Sequence, residues 1–154
     1  MTVAKTVVSY LQNRRIPYSI LPHRRTVSTR ESAMAAHVPA EQMAKAVVLW
    51  DRQGYLMAVL PGDRHVGVEQ LSARLGRRLA LAAEARIAPV FKDCDLGAIP
   101  PVGPAYGMET IVDDSLVGQP EIYFEAGDHE DLIRVDGEQF LRLLNQARHG
   151  QFSH

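Results

Sequence analysis

The residues of this chain best suited to chemistry are Lys45 and the segment Leu96-Gly97-Ala98-Ile99-Pro100-Pro101-Val102-Gly103. From Gly97 to Gly103 there are two glycines, two prolines and no charge in seven residues. Proline fixes φ and removes an N–H, while glycine lets backbone approach a ligand with no side chain in the way. Such a loop is stiff and shaped, and it can present backbone amides and carbonyls to a small polar group. Lys45 interrupts an otherwise apolar stretch, Met43-Ala44-Lys45-Ala46-Val47-Val48-Leu49. A lysine at the head of a buried strand must reach water, a carboxylate or a ligand. It either snorkels to solvent or supplies one fixed positive charge to whatever the loop holds.

Other polar residues are weaker candidates. His129 follows Gly127 at the end of an apolar strand. A lone histidine in such a place is more often a hydrogen-bonded structural residue than a general base. Asp113 either accepts a hydrogen bond near the pocket or simply terminates its strand. His23, Thr26 and Ser28 are placed to line an entrance, although Ser28 has a capping role of its own. The six histidines, at 23, 37, 65, 129, 149 and 154, make no His-x-x-x-His pair and no ordered His/Cys set, so no metal site is expected. Cys94 is the only cysteine, which excludes an internal disulfide and a thiolate cluster. Its neighbours Asp93 and Asp95 raise a thiol pKa and disfavour a nucleophile there. There is no Gly-x-Ser-x-Gly elbow and no phosphate-binding Walker loop, and no organic cofactor is expected. Tyr106 and Tyr123 read as core aromatics and not as a base-stacking platform.

The elements that must position these residues follow from periodicity. Val3, Val7, Tyr10 and Leu11 recur at helical spacing, which predicts an amphipathic helix over the first dozen residues. Residues 16–21 read as a short strand. Ser28 and Glu31 form a capping box for a helix running to about His37, before Pro39. A turn follows at 40–43. The apolar runs 44–50 and 55–60, joined by Asp51-Arg52-Gln53-Gly54, predict a hairpin. On the first strand Lys45, Val47 and Leu49 share one face. A helix over 66–75 stops at Gly76, a brief strand falls near Leu79 and Leu81, and a short helix is expected over 84–91. Strands are predicted at 106–112, 121–125 and 132–135, and Asp136 caps a final helix carrying Phe140, Leu141 and Leu144. The regular alternation of a doubly wound sheet is absent. The expectation is one α+β domain over 1–154, with a mixed, largely antiparallel sheet that curls into a partial barrel and flanking helices.

Bulk properties limit the partners. The chain has 154 residues, 17 Lys and Arg against 18 Asp and Glu, and a net charge of −1. That argues against a broad phosphate-binding surface and against DNA. A nucleic acid held only at its end remains open, through a local cluster such as Arg14, Arg15, Arg24 and Arg25 with Arg77 and Arg78. No apolar run approaches membrane-spanning length and no signal peptide is evident, so a cytoplasmic location is expected.

Four stretches occur together in a recognisable order: 43–49, 97–103, Glu109-Thr110-Ile111-Val112-Asp113 and Tyr123-Phe124-Glu125-Ala126-Gly127-Asp128-His129. Over most of its length the chain resembles the YbaK-type aminoacyl-tRNA deacylases, a family that includes the editing insertion domain of bacterial prolyl-tRNA synthetases. Gly97 to Pro101 matches the family's Gly-x-x-x-Pro element, and Lys45 falls on its characteristic lysine. The resemblance implies the same α+β fold and hydrolysis of the ester of a mischarged tRNA, with a small amino acid on proline tRNA the favoured substrate. It implies that Lys45 holds the acceptor end near the ester, that the 97–103 backbone orients ester and ribose, and that His129, beside Gly127, lines the pocket as a positioning residue or general base. Family members often carry a larger apolar residue at the place of Val102, so pocket size is open there. The implied partners are the acceptor end of an aminoacyl-tRNA and, for docking, a synthetase. A non-catalytic module that docks on a synthetase or on the tRNA acceptor end is the alternative.

Overall fold

The computed structural model of the chain describes residues 3–154. Helix α1 (Lys5–Asn13) buries Val7 and Leu11, the apolar stripe that its periodicity predicts. Strand β1 (Ser19–Pro22) begins later than expected. The Ile16 N–H turns back to the Leu11 carbonyl, and Pro17 has no N–H to give a ladder. Helix α2 (Thr29–Ala35) opens at Ser28, whose hydroxyl accepts from the Glu31 N–H at 3.1 Å. Strands β2 (Met43–Asp51) and β3 (Gly54–Pro61) form the predicted hairpin, with Gly54 at φ +129° closing the turn. Helix α3 (Val68–Leu75) stops at Gly76, which is left-handed.

Strand β4 (Ala80–Leu81) is followed by α4 (Glu84–Ile87), which ends well before residue 91. Pro89 disfavours helical geometry in the residue ahead of it and removes an N–H. Strand β5 (Glu109–Asp113) starts three residues later than predicted. Residues Gly103–Tyr106 instead form a 3-10 turn closed by left-handed Gly107. Strands β6 (Glu121–Glu125) and β7 (Asp131–Asp136) and helix α5 (Gly137–Leu143) come next. Asp136 sits at the N-cap of α5, but its side chain makes no capping bond and lies 3.5 Å from Arg134. Strand β8 (Arg148–Gly150) was not legible in advance.

The strands form one mixed sheet in the order β1-β7-β6-β2-β3-β5-β8, with β4 attached to β2. Four pairings are antiparallel: β1 with β7, β6 with β7, and β2 with both β3 and β4. The β2–β6, β3–β5 and β5–β8 pairings are parallel. The edge strands β1 and β8 do not pair with each other, so the sheet is not a closed barrel. One face, with Val48, Met57, Val59, Val112 and Phe124, packs against α1, α5 and the segment holding Phe91 and Val102. The other carries Leu49, Leu56, Leu60 and Ile111 onto Leu71 of α3 and Phe152. The alternation of β3 between these two cores follows from the period of two in a strand. Among the described residues no helix is long and apolar enough to cross a membrane.

Strand β2 changes partner along its outer edge. At Met43 and Ala44 it pairs with β6, and at Leu49 and Trp50 with β4. The Ala82 N–H donates to the Val48 carbonyl at 3.0 Å. Along an antiparallel strand hydrogen-bonding groups alternate sides, so the Ala46 N–H and C=O point outward on the same edge as that carbonyl. Between the two partners the sheet has a gap.

Candidate functional site

A cavity of about 230 Å³ occupies that gap. Its walls are Ala44, Lys45, Ala46, Val47 and Val48 of β2, with Leu81, Ala82, Glu84 and Ile87 on one side and Thr29, Gly97, Ile99 and Glu125 on the other. Most of these side chains are apolar, and three of them are alanines. Lys45 is half-buried, and its Nζ donates to the Gly62 carbonyl at 3.3 Å. Burial lowers its pKa, and the nearby Asp63 carboxylate partly offsets this. The cation is therefore held by a neutral acceptor and not by a tight ion pair. This leaves charge available to an anion or a developing oxyanion.

Gly97 reaches the cavity because the loop turns through φ +84°, a conformation open to glycine at little cost. A Cβ there would stand 3.2 Å from His129 Cε1. The His129 ring thus packs against the loop, and its Nε2–H donates to the Leu96 carbonyl at 2.6 Å. His129 is buried in a left-handed conformation, at φ +61°, and its Nδ1 has no partner. It does not line the cavity wall; it braces Gly97 from the adjoining turn. Gly127, at φ +102°, lets that turn pass Ala4, whose Cβ would lie 2.9 Å from an added methyl, and its carbonyl accepts from the Asp95 N–H at 2.7 Å.

The remainder of the loop divides between wall and support. Ile99 lines the cavity. Ala98, Pro100, Pro101, Val102 and Gly103 are buried, and Val102 lies in the main core. A methyl on Gly103 would fall 1.9 Å from Thr110 Oγ1, so this glycine is required by close approach of β5. Ser28 is committed to its cap, and the neighbouring Thr29 touches the cavity instead. His23 Nδ1 is 2.5 Å from the Arg24 carbonyl, and its Nε2 is buried without a partner. Thr26 is buried against Ser32, with their hydroxyls 2.5 Å apart. Asp113 lies away from the cavity. Its Oδ1 accepts from the N–H groups of Phe152 and Ser153 at 3.0 and 3.1 Å, and its Oδ2 accepts from the N–H and hydroxyl of Ser115.

The arginines do not gather into one patch. Arg77 is locked to Asp51 at 2.8 Å and Glu109 at 2.9 Å. Arg14 and Arg15 line a separate cleft with Arg142. Arg25 lies beside the Gly97 loop, 3.4 Å from Asp95 and 3.3 Å from the Asp128 carbonyl.

Sequence reasoning passed over Glu125. In β6 it alternates with buried Ile122 and Phe124 and so reads as a solvent-facing residue. Yet β6 lies inside the sheet, and Glu125 is only 3% exposed. Neither carboxylate oxygen has a hydrogen-bond partner. Burial raises its pKa, opposed by Ser32, His23 and His129 nearby. Among the described residues no group of three or more His, Cys, Asp or Glu is arranged to hold a metal ion.

A sequence-family model described as "Aminoacyl-tRNA editing domain" matches residues 23–143. A proline–tRNA ligase of Thermosipho africanus is 35% identical over 82 residues, which cover 53% of this chain and 14% of the ligase. The chain thus spans a small part of that relative's length. Among solved structures, one hypothetical protein superposes with a TM-score of 0.85 at 19% identity, over 97% of this chain and 100% of its own. A candidate trans-editing enzyme for prolyl-tRNA synthetase superposes with a TM-score of 0.81 at 22% identity, over 98% and 96%. These likenesses show a shared fold.

Proposed function

The chain belongs to the aminoacyl-tRNA editing domain family, and from that premise we propose that it is a hydrolase acting in trans on mischarged tRNA. Water cleaves the ester between a wrong amino acid and the terminal adenosine, releasing the free amino acid and restoring the ribose hydroxyl. The observation that carries this reading is the cavity at the open edge of β2, with Lys45 and Gly97 on its walls. Its size and its Ala44, Ala46 and Ala82 walls favour a small amino acid. The relative among the proline–tRNA ligases supports proline tRNA as the carrier. One methylene in such a pocket is worth about 1–3 kcal/mol, so wall residues tune which amino acid is accepted.

The roles divide as follows. Lys45 holds the acceptor end by its charge and favours the developing oxyanion. The Gly97 loop orients the ester and ribose, with Gly97 and Pro101 fixing its path. The outward N–H of Ala46 is a further fixed donor on the cavity wall. His129 keeps the loop in place through the Leu96 carbonyl. Among the described residues no nucleophile–base pair lines the cavity, which suits a mechanism in which the vicinal ribose hydroxyl orients the water. Orientation alone can lower such a barrier by about 7–11 kcal/mol at its best.

The test is to time ester loss from labelled alanyl-, cysteinyl- and seryl-tRNA for proline with purified protein. Wild type shortens the ester lifetime of at least one of them, and Lys45→Ala loses about a hundredfold or more of that rate with an unchanged melting curve. No ester loss at high protein concentration overturns the hydrolase and favours a docking module. Normal turnover by Lys45→Ala overturns the role given to this lysine.

A further inference from the structure

Among the described residues Glu125 is the one buried charge on the cavity wall that has no task in the proposed hydrolysis. It follows Phe124, the last β6 residue paired with β2, where the partner of Ala44 is Phe124 and that of Met43 is Tyr123. One step further, Lys45 and Glu125 occupy corresponding positions on the same face of two strands that have just parted. Both line the cavity. A carboxylate taken out of water with neither oxygen hydrogen-bonded is strongly unfavourable unless a partner arrives.

The neighbours supply no cation within hydrogen-bond distance. The Ser32 and Thr26 hydroxyls share one hydrogen bond, which leaves a single neutral O–H near the carboxylate, and the buried His23 Nε2 and His129 Nδ1 make no hydrogen bond to it. His129 spends its Nε2–H on the Leu96 carbonyl, and Lys45 donates to the Gly62 carbonyl. Asp128, also buried, uses Oδ1 on the N–H groups of Glu130 and Asp131. The other acidic wall residue, Glu84, is exposed. What the cavity lacks is therefore a cationic hydrogen-bond donor of small size at Glu125.

An aminoacyl ester brings one. Its α-amino group is an ammonium near neutral pH and carries three donors. We propose that Glu125 binds the α-ammonium of the aminoacyl group, so that Lys45 and Glu125, on two neighbouring strands, hold opposite charges of the substrate in one small cavity. This rests on the reading of the cavity as an aminoacyl-ester site. Two fixed, opposite charges orient the ester, and they select against an acyl group whose amine is blocked. The charge-assisted pairing replaces the water lost by both groups.

The experiment uses two stable probes: 3′-alanylamino-3′-deoxyadenosine, an amide analogue of the ester, and its N-acetyl derivative. Binding to the full chain is measured by calorimetry or NMR titration. Wild type binds the free amine at least about tenfold more tightly than the acetylated form. Glu125→Gln, of equal size, weakens only the free-amine probe and brings the ratio close to one. The inference is overturned if wild type does not discriminate, if it binds neither probe, or if Glu125→Gln keeps the wild-type ratio. Wild-type discrimination needs no variant, so a misfolded Glu125→Gln does not block the test. Deacylation of alanyl-tRNA, timed in parallel, separates the two readings. Discrimination without turnover overturns the hydrolase and leaves the ammonium site, whereas turnover without discrimination overturns the ammonium site alone.

Discussion

Replacing Asp113 with alanine separates a structural carboxylate from a catalytic one. Asp113 ends β5 and is 3% exposed. Its Oδ1 holds two backbone N–H groups forty residues downstream, those of Phe152 and Ser153. The Phe152 N–H is buried, and the Phe152 ring fills the second core beside Leu71 and Ile111. Removing the acceptor strands both donors. An unsatisfied buried donor costs about 1–3 kcal/mol, so the buried Phe152 N–H predicts about 2 kcal/mol, and the half-exposed Ser153 and Ser115 contacts add about 1 kcal/mol more. For a domain of this size each kcal/mol moves the melting temperature by about 2–4 °C, so Asp113→Ala melts about 6–12 °C below wild type.

The loss is expected to be local first. Hydrogen exchange should speed up at β8 and at Phe152 while the β2–β3 hairpin stays protected. It also carries a pH signature. Burial alone would raise the Asp113 carboxyl, but the hydrogen bonds from Ser115, Phe152 and Ser153 outweigh it and hold the pKa below the ordinary value. A carboxyl depressed in the folded state contributes stability that is present above its unfolded pKa of about 3.9 and is lost as pH falls through the folded value. The gap between wild type and Asp113→Ala therefore narrows below about pH 4. Thermal melts across pH 2–7, with deacylation assays on protein kept well below its melting point, check both parts. A melting temperature within about 1 °C of wild type refutes the packing account, and a stably folded variant without turnover shows that Asp113 serves the site after all.

Gly103→Ala is expected to be severe, about 3 kcal/mol or more, because its methyl would lie 1.9 Å from Thr110 Oγ1 and 2.9 Å from the Met108 carbonyl. Adding Thr110→Ala should recover part of that loss in a melting experiment, and full stability of Gly103→Ala alone contradicts the contact. Cys94 is expected to resist alkylation. Burial pushes its thiol up to about 12, with Asp93 adding to this and the Tyr106 hydroxyl opposing it. Iodoacetamide at about pH 8, followed by mass spectrometry, should label the native protein at least about a hundredfold more slowly than the unfolded chain. Equal rates would exclude the buried-thiol environment.

The parts of the fold that were legible are those fixed by local pattern. The β2–β3 hairpin was written in two apolar runs and an Asp-Arg-Gln-Gly turn, and α1 and α3 in their helical stripes. Strand β8 was not, because Arg148, His149 and Gly150 carry no strand pattern and pair with β5 through contacts far along the chain. The shift in β5 came from Gly107, which turns the chain left-handed just after Tyr106. The site was half legible. Lys45 and Gly97 stood out because a charge in an apolar run and a Gly/Pro cluster are unusual. Glu125 did not, since a glutamate alternating with apolar residues is the ordinary pattern of a half-exposed strand. Only the sheet order, which places β6 against β2, reveals that it is enclosed.

The cavity is a consequence of that same sheet order. A strand with one partner on each side has all its backbone groups satisfied, and a buried edge without a partner is unstable. Strand β2 passes from a parallel partner to an antiparallel one along a single edge, and the two cannot meet without a break in register. The break leaves the Ala46 amide and carbonyl facing a small space, with Lys45 at its head and Glu125 across from it. Filling the gap with apolar side chains would leave those backbone groups and the carboxylate unpaired. A ligand with its own donors, acceptors and charge satisfies them. Gly97 closes the space from the far side because it alone in the loop is left-handed there, and His129 holds it so. On the proposed function, specificity resides in side chains that are easily exchanged, Ala44, Ala46, Ala82 and Ile99, while the polar frame of the cavity is built into the path of the chain.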